Sequence, residues 1–82
     1  MEGRALFEEV VARSGLAAVI GPGTVERALH AVGVATPEAA CAGDYLRALP
    51  QIKARMAIYL TPEDVEQHVR DLQALLGGAA AE

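Results

Sequence analysis

The chain has 82 residues and a net charge of −4; Ala supplies 17 of the residues and the larger apolar side chains 25. That length suits one small domain and excludes a two-domain enzyme. The acidic balance argues against a general nucleic-acid binder, which neutralises phosphates with a basic excess.

The charge is unevenly spread. Residues 1–44 sum to −3, residues 45–62 to +3 through Arg47, Lys53 and Arg55, and residues 63–82 to −4. An acidic molecule with one basic segment suits self-complementary or heterologous protein contact, although a solvated helix face accounts for the same charges. The single cysteine, Cys41, excludes an intrachain disulfide and makes a reducing compartment the default. Set among alanines, Cys41 is expected to be a small buried hydrophobe. No uninterrupted apolar run reaches the roughly 18 residues of a membrane span. Met1-Glu2-Gly3-Arg4 lacks the basic start and apolar stretch of a secretory signal, so the expected location is cytoplasmic.

In chain order, residues 4–14 carry Leu6, Phe7, Val10 and Val11 at helical spacing, with Gly15 as the stop. Leu16 to Ile20 reads as a helical turn or an apolar connector before the breaker Gly21-Pro22-Gly23. Thr24 then looks like an N-cap with Glu26 in the first turn, and a second helix is expected over 24–32. Gly33 fits the left-handed closing position, with Val34 folding back on the last turn.

Thr36-Pro37-Glu38 and Thr61-Pro62-Glu63 share a start signal: a cap, proline at the first helical position, then an acid. The third helix, from 37, is expected to be short because Gly43 and Asp44 interrupt it. Tyr45, Leu46 and Leu49 lie on one face of a following turn before Pro50, and a fourth helix is expected from Pro50 to about Leu60. The final helix, 62–76, has the clearest periodicity, with Val65, Val69, Leu72, Leu75 and Leu76 in one seam. Glu66 and Arg70 form a favourable i,i+4 pair there. Gly77-Gly78 is the expected stop, leaving a frayed tail at 79–82 after a single domain at 1–78. No segment alternates apolar and polar residues strictly, so the domain is all-α: a compact bundle of four to five short helices.

Chemistry-bearing residues are few. Ser14, Cys41, His30 and His68 stand in no recognisable nucleophile–base setting. His30 lies near the end of the second helix, where an imidazolium suits the dipole; His68 lies between Asp64 and Asp71 on the surface of the last helix. No short ligand pair of the Cys-x-x-Cys or His-x-x-x-His kind is present, so no metal, no cofactor and no enzyme activity are expected. A phosphopantetheine carrier would need an Asp-Ser-Leu turn, whereas the one serine stands in Arg13-Ser14-Gly15-Leu16.

The segment from Val19 to Leu29, with Gly33-Val34 and Thr36 after it, resembles half of a helix-hairpin-helix DNA-binding motif. In that family a Gly-hydrophobic-Gly turn presents backbone N–H groups to a phosphate. Gly21-Pro22 matches the second glycine and its follower, Val19 stands at the first glycine and Gly23 where lysine is common. The resemblance spans about a quarter of the chain. It implies a phosphate site at Gly21, Gly23, Arg27 and Lys53, supported by Arg47 and Arg55. Ile20-Gly21-Pro22 and the helix layout also resemble small helical modules appended to bacterial signalling kinases and receivers.

Together these features predict a protein–protein interaction or assembly module that docks through an apolar helix face. Its expected contact residues are Met56, Tyr59, Leu72, Leu75 and Leu76, and its expected assembly is a homodimer through the last helix. Helix-hairpin-helix-like nucleic-acid binding is the alternative, and no membrane contact is expected.

Overall fold

The computed structural model describes residues 3–81. Among them are four α-helices and no strand: α1 Gly3–Arg13, α2 Gly21–Ala31, α3 Ala42–Tyr59 and α4 Pro62–Ala81. A 3-10 turn, Pro37–Ala39, stands between α2 and α3. The expected all-α class is therefore observed.

The helix ends show which local signals govern. α1 stops where Gly15 takes a φ of +74°, and α2 stops where Gly33 takes +88°; glycine alone adopts that region without strain. At the end of α2 the Val34 N–H donates to the Leu29 carbonyl at 3.0 Å and the Gly33 N–H to that of His30 at 3.0 Å. That is a Schellman closure, with Val34 folded in and buried as expected.

α2 begins three residues before its expected start. The 17–20 turn feeds straight into it, the Gly21 N–H donating to the Ala17 carbonyl at 2.8 Å. Pro22 then sits in the first turn, where its missing N–H costs nothing. Thr24 is consequently inside the helix, and its hydroxyl donates back to the Ile20 carbonyl at 2.8 Å instead of capping. At Thr36-Pro37-Glu38 the start signal yields only the 3-10 turn. The cap of α3 is Cys41, whose N–H donates to Asp44 Oδ2 at 2.9 Å.

α3 runs unbroken through Pro50, where two separate pieces were expected. Its inner stripe explains why. Ala42, Tyr45, Ala48, Leu49, Ile52 and Met56 are all buried and continue in helical register on both sides of the proline. Pro50 itself faces solvent. Its interior position costs about 3 kcal/mol, and burying one large apolar side chain contributes about 1.5–3 kcal/mol. A continuous stripe of several such residues outweighs the proline.

α4 also overruns its expected stop. Neither Gly77 nor Gly78 takes a positive φ, and the backbone of the expected tail stays helical through Ala81. Glu82 lies outside the described residues. Thr61 caps this helix as expected, accepting the Asp64 N–H at 3.2 Å. The two-residue connection Leu60-Thr61 folds α3 and α4 into a helical hairpin. Ile52 and Met56 from α3 share a core with Val65, Leu72 and Leu76 from α4, and α1 and α2 close the other side through Leu6, Phe7, Val10, Val25 and Leu29. The radius of gyration is 11.4 Å, close to the roughly 12 Å of a packed chain this long.

Candidate functional site

The residues expected to form a contact face separate into two groups. Met56 and Leu72 are fully buried and Leu76 is 1% exposed, and Leu75 is half-buried against the same cluster. The leucine seam of the last helix is thus the inner wall of the hairpin. With α1 and α3 both against α4, most of that wall is covered inside one chain, while Val69 and Leu75 of the seam stay partly exposed. Tyr59 alone of the five is largely exposed, at 56%.

A second apolar line lies on the other side of α3. Leu46 is 41% exposed and Ile58 65%, and Pro50 and Ala54 between them also face solvent. These four stand at i, i+4, i+8 and i+12, so they form one ridge along the helix. Beside the ridge runs an open groove of about 590 Å³ lined by Pro50, Lys53, Ala54, Ala57, Leu60, Pro62, Val65 and Glu66. Both hairpin arms contribute to it, and the tight Leu60-Thr61 connection closes one end. Its two charged residues, Lys53 and Glu66, come from opposite arms.

The Gly-Pro-Gly segment offers less to a phosphate than its resemblance implies. The Gly21 N–H is bonded to Ala17, Pro22 has no N–H, and Gly21 is buried. Of the expected cations, Arg47 ion-pairs with Asp44 and its guanidinium donates to the Val32 carbonyl at 3.4 Å, tying the end of α2 to the start of α3. Lys53 belongs to the α3–α4 groove, while Arg27 and Arg55 are exposed. The backbone N–H of Cys41, and then the Arg47 guanidinium, hold the Asp44 carboxyl below the usual carboxylate range.

Ser14, His68 and His30 each meet a backbone group. Ser14 is completely buried; its hydroxyl donates to the Val11 carbonyl at 2.7 Å and accepts the Leu16 N–H at 3.3 Å. His68 is not a simple surface residue, since its Nδ1 lies 3.1 Å from the Arg13 carbonyl at the end of α1. With its proton on Nδ1 it donates there and satisfies a carbonyl the helix leaves open. Gly15 lies directly against that ring, and a Cβ there would come within 2.5 Å of Nε2. His30 Nε2 lies 3.1 Å from the Ala35 carbonyl just beyond α2.

Cys41 is exposed, not buried, because the chain leaves the 3-10 turn in extended form and places it at the cap. Tyr45 is the reverse: it is completely buried, and its hydroxyl finds no hydrogen-bond partner among the described residues. Burial, helped by the negative charges of Asp44 and Glu38, pushes its hydroxyl up to about 12. Among the described residues no group of three or more His, Cys, Asp or Glu side chains is placed to hold a metal, and no helix is long and apolar enough to cross a membrane.

Compared with protein-family models, with curated proteins and with solved structures, the chain matches none.

Proposed function

We propose that the protein is a small interaction or assembly module that docks through the outer face of the α3–α4 hairpin. The observation that carries this reading is the exposed ridge Leu46, Pro50, Ala54 and Ile58, bordered by the groove between the two arms. Apolar side chains aligned at helical spacing beside a groove suit a helix laid along it, and rim charges such as Lys53 and Glu66 set the partner's orientation. Val19, 91% exposed on the 17–20 turn, is by contrast an isolated apolar side chain of the kind any surface carries.

A photo-cross-linking residue at Ala54, compared with one at the exposed Gln73 of α4, tests the reading in cells that make the protein. A specific adduct at position 54 and none at 73 is the expected result. Equal labelling at both positions, or none at 54, would contradict it.

A further inference from the structure

We infer that the partner on this face is a second copy of the chain, paired ridge to ridge with its α3 antiparallel to the first. The inference rests on the docking role just proposed and names its occupant. Two features of the ridge favour self-pairing over an unrelated helix.

The first is the symmetry of the ridge itself. Leu46 and Ile58 stand equally far from residue 52, and so do Pro50 and Ala54. Large side chains end the ridge and small ones fill its middle. Turned end for end, a second α3 presents the same order, so Leu46 meets Ile58 of the other copy and Pro50 meets its Ala54. The small middle residues let the two backbones approach, and the large ends lock the register. Ridges at i±4 from both helices pack at a crossing angle of about −50°, the commonest class of helix contact.

The second is charge. The segment 45–62 carries +3 and the segment 63–82 carries −4. Two basic α3 helices would repel each other unless acids entered the contact. The groove beside each ridge supplies one, because Glu66 faces it from α4 while Lys53 faces it from α3. In the antiparallel pair the groove sides of the two copies lie together, bringing Lys53 of each copy towards Glu66 of the other. A foreign helix would have to carry both charges in matching places, whereas a second copy has them by construction.

Sedimentation equilibrium of the whole chain, from ten to several hundred micromolar, tests this. The wild type is expected to approach twice the 8.6 kDa chain mass. Ile58→Asp places a charge in the paired ridge and is expected to weaken association about tenfold or more. Its helical circular dichroism is expected to be retained because the site is exposed; Ala54→Glu is a second variant on the same ridge. Lys53→Glu and Glu66→Lys are each expected to associate poorly alone and to recover as an equimolar mixture, since opposite charges then meet across the pair. A wild-type chain that stays at the monomer mass overturns the self-pairing and leaves the cross-linking result at Ala54 to judge the docking role. A dimer indifferent to both ridge variants overturns the assignment of the face itself. Failure of the mixture to recover overturns the antiparallel register.

Discussion

The inner seam of α4 and the outer ridge of α3 carry side chains of the same chemistry and meet opposite fates. Leu72 and Leu76 are sealed inside the hairpin, while Ile58 and Leu46 remain in contact with water. The difference comes from neighbours. α4 is flanked by α1 and α3, which cover Val65, Leu72 and Leu76 of its seam. α3 buries its Tyr45–Ile52–Met56 stripe inward and keeps a second, shorter apolar line facing out. A helix that is apolar on one face spends that face on the core, whereas one apolar on two faces keeps a second apolar line at the surface.

The largest effect is expected at the inner seam. Leu72→Ala empties a fully buried site and is expected to cost about 2–5 kcal/mol, read as a lower midpoint in urea with an unchanged slope. Against that, at concentrations well below those at which the chain pairs, Ile58→Asp should alter the unfolding free energy by no more than about 0.5 kcal/mol, as at other exposed sites. Equal losses at the two positions would erase the distinction between seam and ridge.

Next in size is the junction where α4 meets the end of α1. Gly15→Ala meets both a φ of +74° and the His68 ring, whereas Gly33→Ala meets a φ of +88° and open space. The left-handed conformation alone costs about 1–2 kcal/mol for an L side chain. Gly15→Ala is therefore expected to be the more damaging of the pair in thermal unfolding.

A smaller effect, opposite in sign, is expected at Tyr45. Its buried hydroxyl lacks a partner among the described residues, and an unsatisfied group of this kind costs about 1–3 kcal/mol. Tyr45→Phe is expected to stabilise the fold by about 1 kcal/mol. The pH dependence follows from the raised hydroxyl. The folded chain keeps Tyr45 neutral to about 12, whereas the unfolded chain ionises it near the ordinary value of 10.0. Stability is thus fully present below 10 and declines as pH rises towards 12. Alkaline titration of Tyr45→Phe should show a shallower decline than wild type.

The smallest effect concerns Asp44. Its lowered carboxyl stabilises the fold above the ordinary value of 3.8, and that contribution is lost as pH falls through the lowered one. Acid unfolding of Asp44→Asn should lose that part of the pH dependence.

These contrasts also mark what the sequence could tell. Gly15, Gly33 and Thr61 were legible because each acts through its own backbone or a neighbour three to five residues away. Pro50 misled because a local rule met a longer pattern: the stripe from Ala42 to Met56 spans it, and Pro50 falls on the solvent side. Gly77-Gly78 misled because two glycines permit a stop without compelling one. The His68 contact with Arg13 joins residues 55 apart, and no spacing in the chain announces it. The same apparent break at Pro50 hides the ridge, because it puts Leu46 and Ile58 in separate elements. Only the seam was visible, and strong periodicity marks burial without saying whether its cover comes from the same chain or another.

The most direct test of the outer ridge as the association face is an amide chemical-shift dilution series on the uniformly labelled wild-type chain, from about one millimolar to ten micromolar. Concentration-dependent shifts centred on Leu46, Lys53, Ala54, Ile58 and Glu66, with α1 and Gln73 unmoved, are the expected result. A spectrum that does not change on dilution, or shifts centred on α1 or on Gln73, would contradict it.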